Sequence, residues 1–159
     1  MSQTHAATRA AGPTQAERLV RLRMASLGVV VMLIIQFILG MIYNLYGTAP
    51  TSTKAIGLFS SPTIALHVIV GILLVLVAIV QLVRAIGTRH SLSIWLSALG
   101  LLSIIGAGFA GLGFSGSGAA GASLGMSLAF AAALACYVAL IVVLPSAAAS
   151  RPGAGPSTT

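Results

Sequence analysis

Four long apolar stretches, separated by short polar connections, constrain this chain more than any other feature of its sequence. They cover residues 24–46, 64–86, 92–113 and 122–144, and Arg84 is the only charged residue within them. Each stretch holds roughly 20 residues, which is enough for a helix to cross the hydrocarbon of a bilayer. Because the backbone polar groups of such a segment must be satisfied internally in lipid, helices are favoured. The pattern therefore predicts an all-α integral membrane four-helix bundle.

The composition excludes a water-soluble domain of this length. Charged residues make up 6% of the 159 residues and hydrophobic residues 58%, whereas about a quarter of the residues of a soluble domain are charged. The mean hydropathy of +1.08 agrees with this. We therefore expect lipid to be the main solvent of the chain.

The positive charges lie on one side of the predicted bundle. All but one of the eight Lys and Arg residues precede the first stretch, flank the hinge between the second and the third, or follow the fourth. These are Arg9, Arg18, Arg21, Arg23, Arg84, Arg89 and Arg151. Only Lys54 lies in a connection on the other side, so the positive-inside rule predicts that both termini are cytoplasmic. Anionic membrane lipids account for the net charge of +7 without a nucleic-acid partner.

The segments outside the four stretches have the composition of tails and loops. Residues 1–13 and 145–159 are predicted to be disordered tails around a transmembrane domain at 14–144. Residues 114–121, rich in Gly and Ser, are predicted to form a flexible outer loop. Thr14 and Glu17 fit a capping box, which predicts that a helix begins just after Thr14.

Small residues indicate how the helices meet, because close backbone approach, rather than burial of leucine, joins helices in lipid. A file at every fourth residue of the fourth stretch consists of Ser123, Ser127, Ala131, Ala135 and Ala139. The third stretch has Ser103, Ala107 and Gly111 at the same spacing. We expect these two files to pack against each other.

Few side chains in the stretches could perform chemistry. They contain no Asp or Glu, which excludes acid–base catalysis by paired carboxylates and a carboxylate metal site. We therefore expect no catalytic residue and no metal ligand, and we interpret Cys136 as a small apolar core residue. Gln36 and Gln81 are expected to hydrogen-bond to a neighbouring helix or to backbone.

His67 lies about one turn inside the second stretch, where an unpaired polar ring would be costly. Tyr43, Asn44 and Ser127 fall at the same predicted depth in the outer leaflet, so one interpretation is a hydrogen-bonded polar cluster of these four residues. The alternative is a b-type haem with His67 as one axial ligand and Met126 as a possible second. Gly71, one turn from His67, would then leave room for the edge of the porphyrin.

Three segments carry a resemblance to a known group. The segment from Gln36 to Tyr46, with Gly40 and Asn44, is followed by His67-Val-Ile-Val-Gly71 and by Ser123-Leu-Gly-Met126. Together they resemble small four-span integral membrane proteins of actinobacteria and related bacteria, a group of uncharacterised function. The resemblance implies a multi-pass protein of the bacterial plasma membrane. A weaker similarity, in the Gln and Gly of the first helix and His-x-x-x-Gly of the second, is to haem-handling membrane proteins.

These observations favour a non-enzymatic membrane protein that acts through lipid or protein contacts. An accessory or scaffold component of a larger membrane assembly fits best, with a membrane-protein partner or a second copy of the chain as its contact. The alternative function is a haem-binding or redox membrane protein that uses His67.

Overall fold

The chain folds into four long helices, as predicted. The computed structural model describes residues 12–48, 50–51 and 53–144. The helices are α1 (Gln15–Tyr46), α2 (Pro62–Gly87), α3 (Ser91–Ser117) and α4 (Ala120–Val143). The all-α class is therefore confirmed, and all four helices are long and apolar enough to cross a membrane. The predicted tails lie outside the described residues, except for 12–13.

The four helices form a ring in which each contacts two neighbours. The contacting pairs are α1–α2, α2–α3, α3–α4 and α1–α4, and within the described helices neither diagonal pair is in contact. Since consecutive helices run antiparallel, the start of α1, the α2–α3 hinge and the end of α4 lie at one end of the bundle. We call it the basic end, and the opposite end, with residues 47–48, 50–51, 53–61 and 118–119, the loop end.

Both capping interactions that begin α1 are present. The backbone N–H of Thr14 donates to Glu17 Oε2 at 3.0 Å, and the N–H of Glu17 donates to Thr14 Oγ1 at 3.3 Å. The predicted capping box is therefore confirmed.

The connection between α3 and α4 is shorter than the sequence predicts. Both helices extend into the segment 114–121, and only Gly118 and Ala119 separate them. Gly118 closes α3 with φ of 66° and donates its N–H to Phe114 O at 2.7 Å. A β-carbon at Gly118 would also collide with the carbonyl of Pro50. The Gly and Ser residues therefore cap and continue helices here, although their composition suggested a flexible loop.

The exterior of the bundle is apolar on all four helices. Large side chains such as Phe37, Ile72, Leu102 and Leu128 are half exposed or more. The buried core is made of a few aliphatic residues and Tyr137. Such a surface would be costly in water, but acyl chains solvate it well.

The contact between α3 and α4 is confirmed, but the predicted face of α4 is wrong. Ser127, Ala131 and Ala135 are exposed. The face that meets α3 includes Gly125 and Tyr137. A β-carbon added at Gly125 would lie 3.8 Å from Ala110 Cβ of α3, and the Tyr137 ring packs on Gly100 of α3. Small residues are so frequent in α4 that their spacing could not decide between the two faces.

Candidate functional site

Two polar residues within the apolar stretches of the first two helices, Gln36 and His67, lie in a seam between α1 and α2. Gln36 and Gly40 on α1 are four residues apart, as are His67 and Gly71 on α2. Because the helices are antiparallel, each polar side chain lies over the glycine of the other helix. A β-carbon added at Gly71 would be 3.0 Å from Gln36 Nε2, and one at Gly40 would be 3.3 Å from His67 Cε1.

One hydrogen bond joins the two helices at this seam. Gln36 Nε2 donates to the backbone carbonyl of His67 at 3.0 Å. In a helix this carbonyl also accepts from the N–H four residues later, which is that of Gly71. The amide can reach the carbonyl because Gly71 has no side chain in its path. The prediction that Gln36 bonds to a neighbouring helix or to backbone is therefore confirmed.

The seam retains unused hydrogen-bonding capacity. His67 is partly buried, and its Nδ1 has no partner among the described residues, nor has Gln36 Oε1. Buried polar atoms are normally paired, so these two atoms could accept a hydrogen bond from a small polar group. Gly40 and Gly71 let the two helices approach closely at the seam, and Gln36 and His67 are the polar side chains that pack on them.

The four residues of the predicted polar cluster do not form one hydrogen-bonded group. The Tyr43 hydroxyl donates to Thr48 O at 2.8 Å, at the end of its own helix. The Ser127 hydroxyl donates to Ser123 O at 3.0 Å, and the Asn44 side chain is exposed. Residues at the same depth in the bundle contact each other only if they lie on facing sides of their helices. This depends on the rotation of each helix about its axis, which the sequence did not reveal.

The two predicted haem ligands face different neighbours. Met126 Sδ lies 3.5 Å from a β-carbon placed at Gly111 of α3, whereas His67 packs on Gly40 of α1. The room predicted beside Gly71 is taken by the Gln36 amide. As placed, these residues do not fit a haem held axially by His67 and Met126. Haem b stays a prediction with its own spectroscopic test.

A second set of buried polar residues lies nearer the basic end. Gln81 Nε2 donates to Ser26 Oγ at 2.6 Å and to Leu22 O at 3.1 Å, which ties α2 to α1 and confirms the prediction for Gln81. Ser97 of α3 and Tyr137 of α4 are fully buried as well. Their hydroxyl oxygens have no partner among the described residues.

Sequence reasoning missed Tyr137 and Ser97. The available signal was the helical spacing of Ser93, Ser97 and Gly100, which marks one face of α3 as small and polar inside an apolar stretch. Tyr137 lies about two turns inside its helix, deeper than the interfacial position that tyrosine commonly takes. Gly100 is what admits the ring, since a β-carbon there would be 2.7 Å from Tyr137 Cε2.

Comparison with protein families, with curated proteins and with solved structures found no match to this chain.

Proposed function

We propose that the protein is a non-catalytic accessory or scaffold component of a bacterial plasma-membrane assembly, with both termini in the cytoplasm. The orientation is supported by the charges of the described chain, because Arg18, Arg21, Arg84 and Arg89 are at the basic end and Lys54 is at the loop end. The scaffold role is supported by the structural part that polar side chains play inside the bundle. The amides of Gln36 and Gln81 both donate to backbone carbonyls of the neighbouring helix and so hold α1 against α2.

The observation that carries the proposal is the exposed file of small residues on α4. Ser127, Ala131 and Ala135 face outward on α4 beside larger exposed side chains such as Leu124 and Leu128. The exposed positions Ile72 and Leu73 on α2 carry large aliphatic side chains. Lipid solvates large apolar side chains well, while small residues allow the backbone of another helix to approach closely. This file therefore suits a second transmembrane helix, from a partner protein or from another copy of the chain.

Site-directed cysteine cross-linking in native membranes tests the proposal. Cys136 is the only cysteine, so Cys136→Ala gives a cysteine-free background for Ala131→Cys. The matched control is Leu73→Cys, which is exposed on α2 and lies as far from the loop-end start of its helix as Ala131 does.

We expect Ala131→Cys to give a discrete cross-linked product and Leu73→Cys to give none. A product of twice the monomer mass would identify a second copy, and a different mass would identify another protein. Equal cross-linking at the two positions, or none at either, would contradict a protein contact on this face. Reporter fusions at each terminus test the orientation, and opposite locations of the termini would contradict it.

A further inference from the structure

A groove opens between α1 and α2 at the basic end of the bundle. Its volume is about 620 Å³, within the range of roughly 300–1,000 Å³ that is typical of small-ligand sites. Three arginines and a set of apolar or small residues line it. They are Arg18, Arg21 and Arg84, with Val20, Leu22, Met24, Ala25 and Gly87.

The positive charge of the groove is not neutralised by the described protein. Arg18 is held by backbone, since Nη1 donates to Gly87 O at 3.5 Å and Nε donates to Pro13 O at 3.3 Å. Arg21 and Arg84 donate no hydrogen bond to a described residue. Glu17 is the only acidic residue of the chain, and its carboxylate accepts from the Thr14 backbone N–H.

The groove combines two properties along its length. The arginines lie toward the end of the bundle, and Met24 and Ala25 continue α1 from there toward its centre. A guanidinium matches a phosphate oxygen pair with two parallel hydrogen bonds. An apolar wall directly beyond the arginines suits the glycerol and the first part of an acyl chain, whereas it would offer nothing to a free phosphate.

We propose that this groove binds one anionic phospholipid, with its phosphodiester on Arg21 and Arg84 and its acyl chain along Met24 and Ala25. Basic pockets between transmembrane helices are a known type of headgroup site. Arg18 lies at the side of the site, where its Nη1 contacts Gly87 O at the end of α2. The proposal rests on the membrane location given under the proposed function, and it specifies one of the lipid contacts.

Native mass spectrometry of the full chain in detergent tests this site. Phosphatidylglycerol and phosphatidylcholine with the same acyl chains are titrated separately, and inorganic phosphate is added as a competitor. The test variant is Arg21→Gln with Arg84→Gln. The control is Arg23→Gln with Lys54→Gln, which removes the same charge from residues that do not line the groove.

We expect the unsubstituted chain to retain one phosphatidylglycerol in preference to phosphatidylcholine. The test variant should bind it at least about tenfold more weakly, as expected for the loss of a charge-assisted contact, and the control should change much less. Equal losses in both variants would show diffuse attraction and overturn the site, as would equal retention of the two lipids by the unsubstituted chain. Displacement by millimolar inorganic phosphate would assign the groove to free phosphate instead. Recovery of the chain without detergent would contradict the membrane location itself.

Discussion

Replacing Gly100 by alanine tests how closely α3 and α4 approach. The added β-carbon would lie 2.7 Å from Cε2, 3.0 Å from Cζ and 3.3 Å from Cδ2 of Tyr137. The ring would have to retreat by roughly 0.7 Å to reach an ordinary contact of 3.4 Å. Tyr137 is fully buried and its aromatic ring cannot bend, so its neighbours would have to move with it.

The magnitude follows from two opposing terms. Overpacking a well-filled core costs about 1–3 kcal/mol, while alanine is favoured over glycine in a helix by about 0.5–1 kcal/mol. Gly106 of the same helix has no atom near the position of an added β-carbon. Gly106→Ala therefore gains the helix term without the collision. The difference between the two variants isolates the packing cost, which we expect to be about 1–3 kcal/mol.

The assay is reversible unfolding in mixed detergent micelles, with the free energy of unfolding measured for both variants. Measuring Tyr137→Leu alone and together with Gly100→Ala completes a double-mutant cycle. In the Tyr137→Leu background the penalty of Gly100→Ala should largely disappear, because the ring is gone. Equal free energies for Gly100→Ala and Gly106→Ala would refute the close approach. A penalty that persists without the tyrosine ring would place the collision elsewhere.

Three further substitutions test other parts of the structure. The free energy of unfolding of Gly71→Ala should be about 1 kcal/mol lower than that of Gly106→Ala, because the added methyl group displaces the Gln36 amide from His67 O. Equal free energies for the two variants in the same assay would contradict that hydrogen bond. Arg89 has φ of 54°, so Arg89→Gly should raise the free energy of unfolding by up to about 1 kcal/mol, and a decrease would show that the arginine side chain matters more. His67→Ala should cost roughly 1–2 kcal/mol and leave the visible absorption spectrum unchanged, whereas loss of a Soret band would support haem.

The parts of the fold that were predictable depend on local composition. Each predicted span lies within one helix, apart from a single residue at the end of the fourth. Transfer of an apolar segment into lipid depends on that segment alone, so hydropathy and length are enough to place it. The capping box at Thr14 was predictable for the same reason, since both partners are three residues apart.

The candidate site was predictable only in part. The sequence singled out His67 and Gln36 because polar side chains in an apolar stretch require partners. It assigned His67 the wrong neighbours, since Tyr43, Asn44 and Ser127 share its depth but not its seam. Gly40 and Gly71 define the seam, and their role becomes clear only when α1 and α2 are paired.

The sequence by itself determined that four helices form, where they begin and end to within a few residues, and at which end the arginines gather. Only the tertiary structure decided the rotation of each helix about its axis. That rotation leaves Ala131 exposed, buries Tyr137 against Gly100, and brings Gln36 to His67. In water an apolar stripe would have revealed the buried face of each helix. In lipid, large apolar side chains suit both the core and the exterior, so hydrophobicity does not distinguish them and close packing at small residues selects the face.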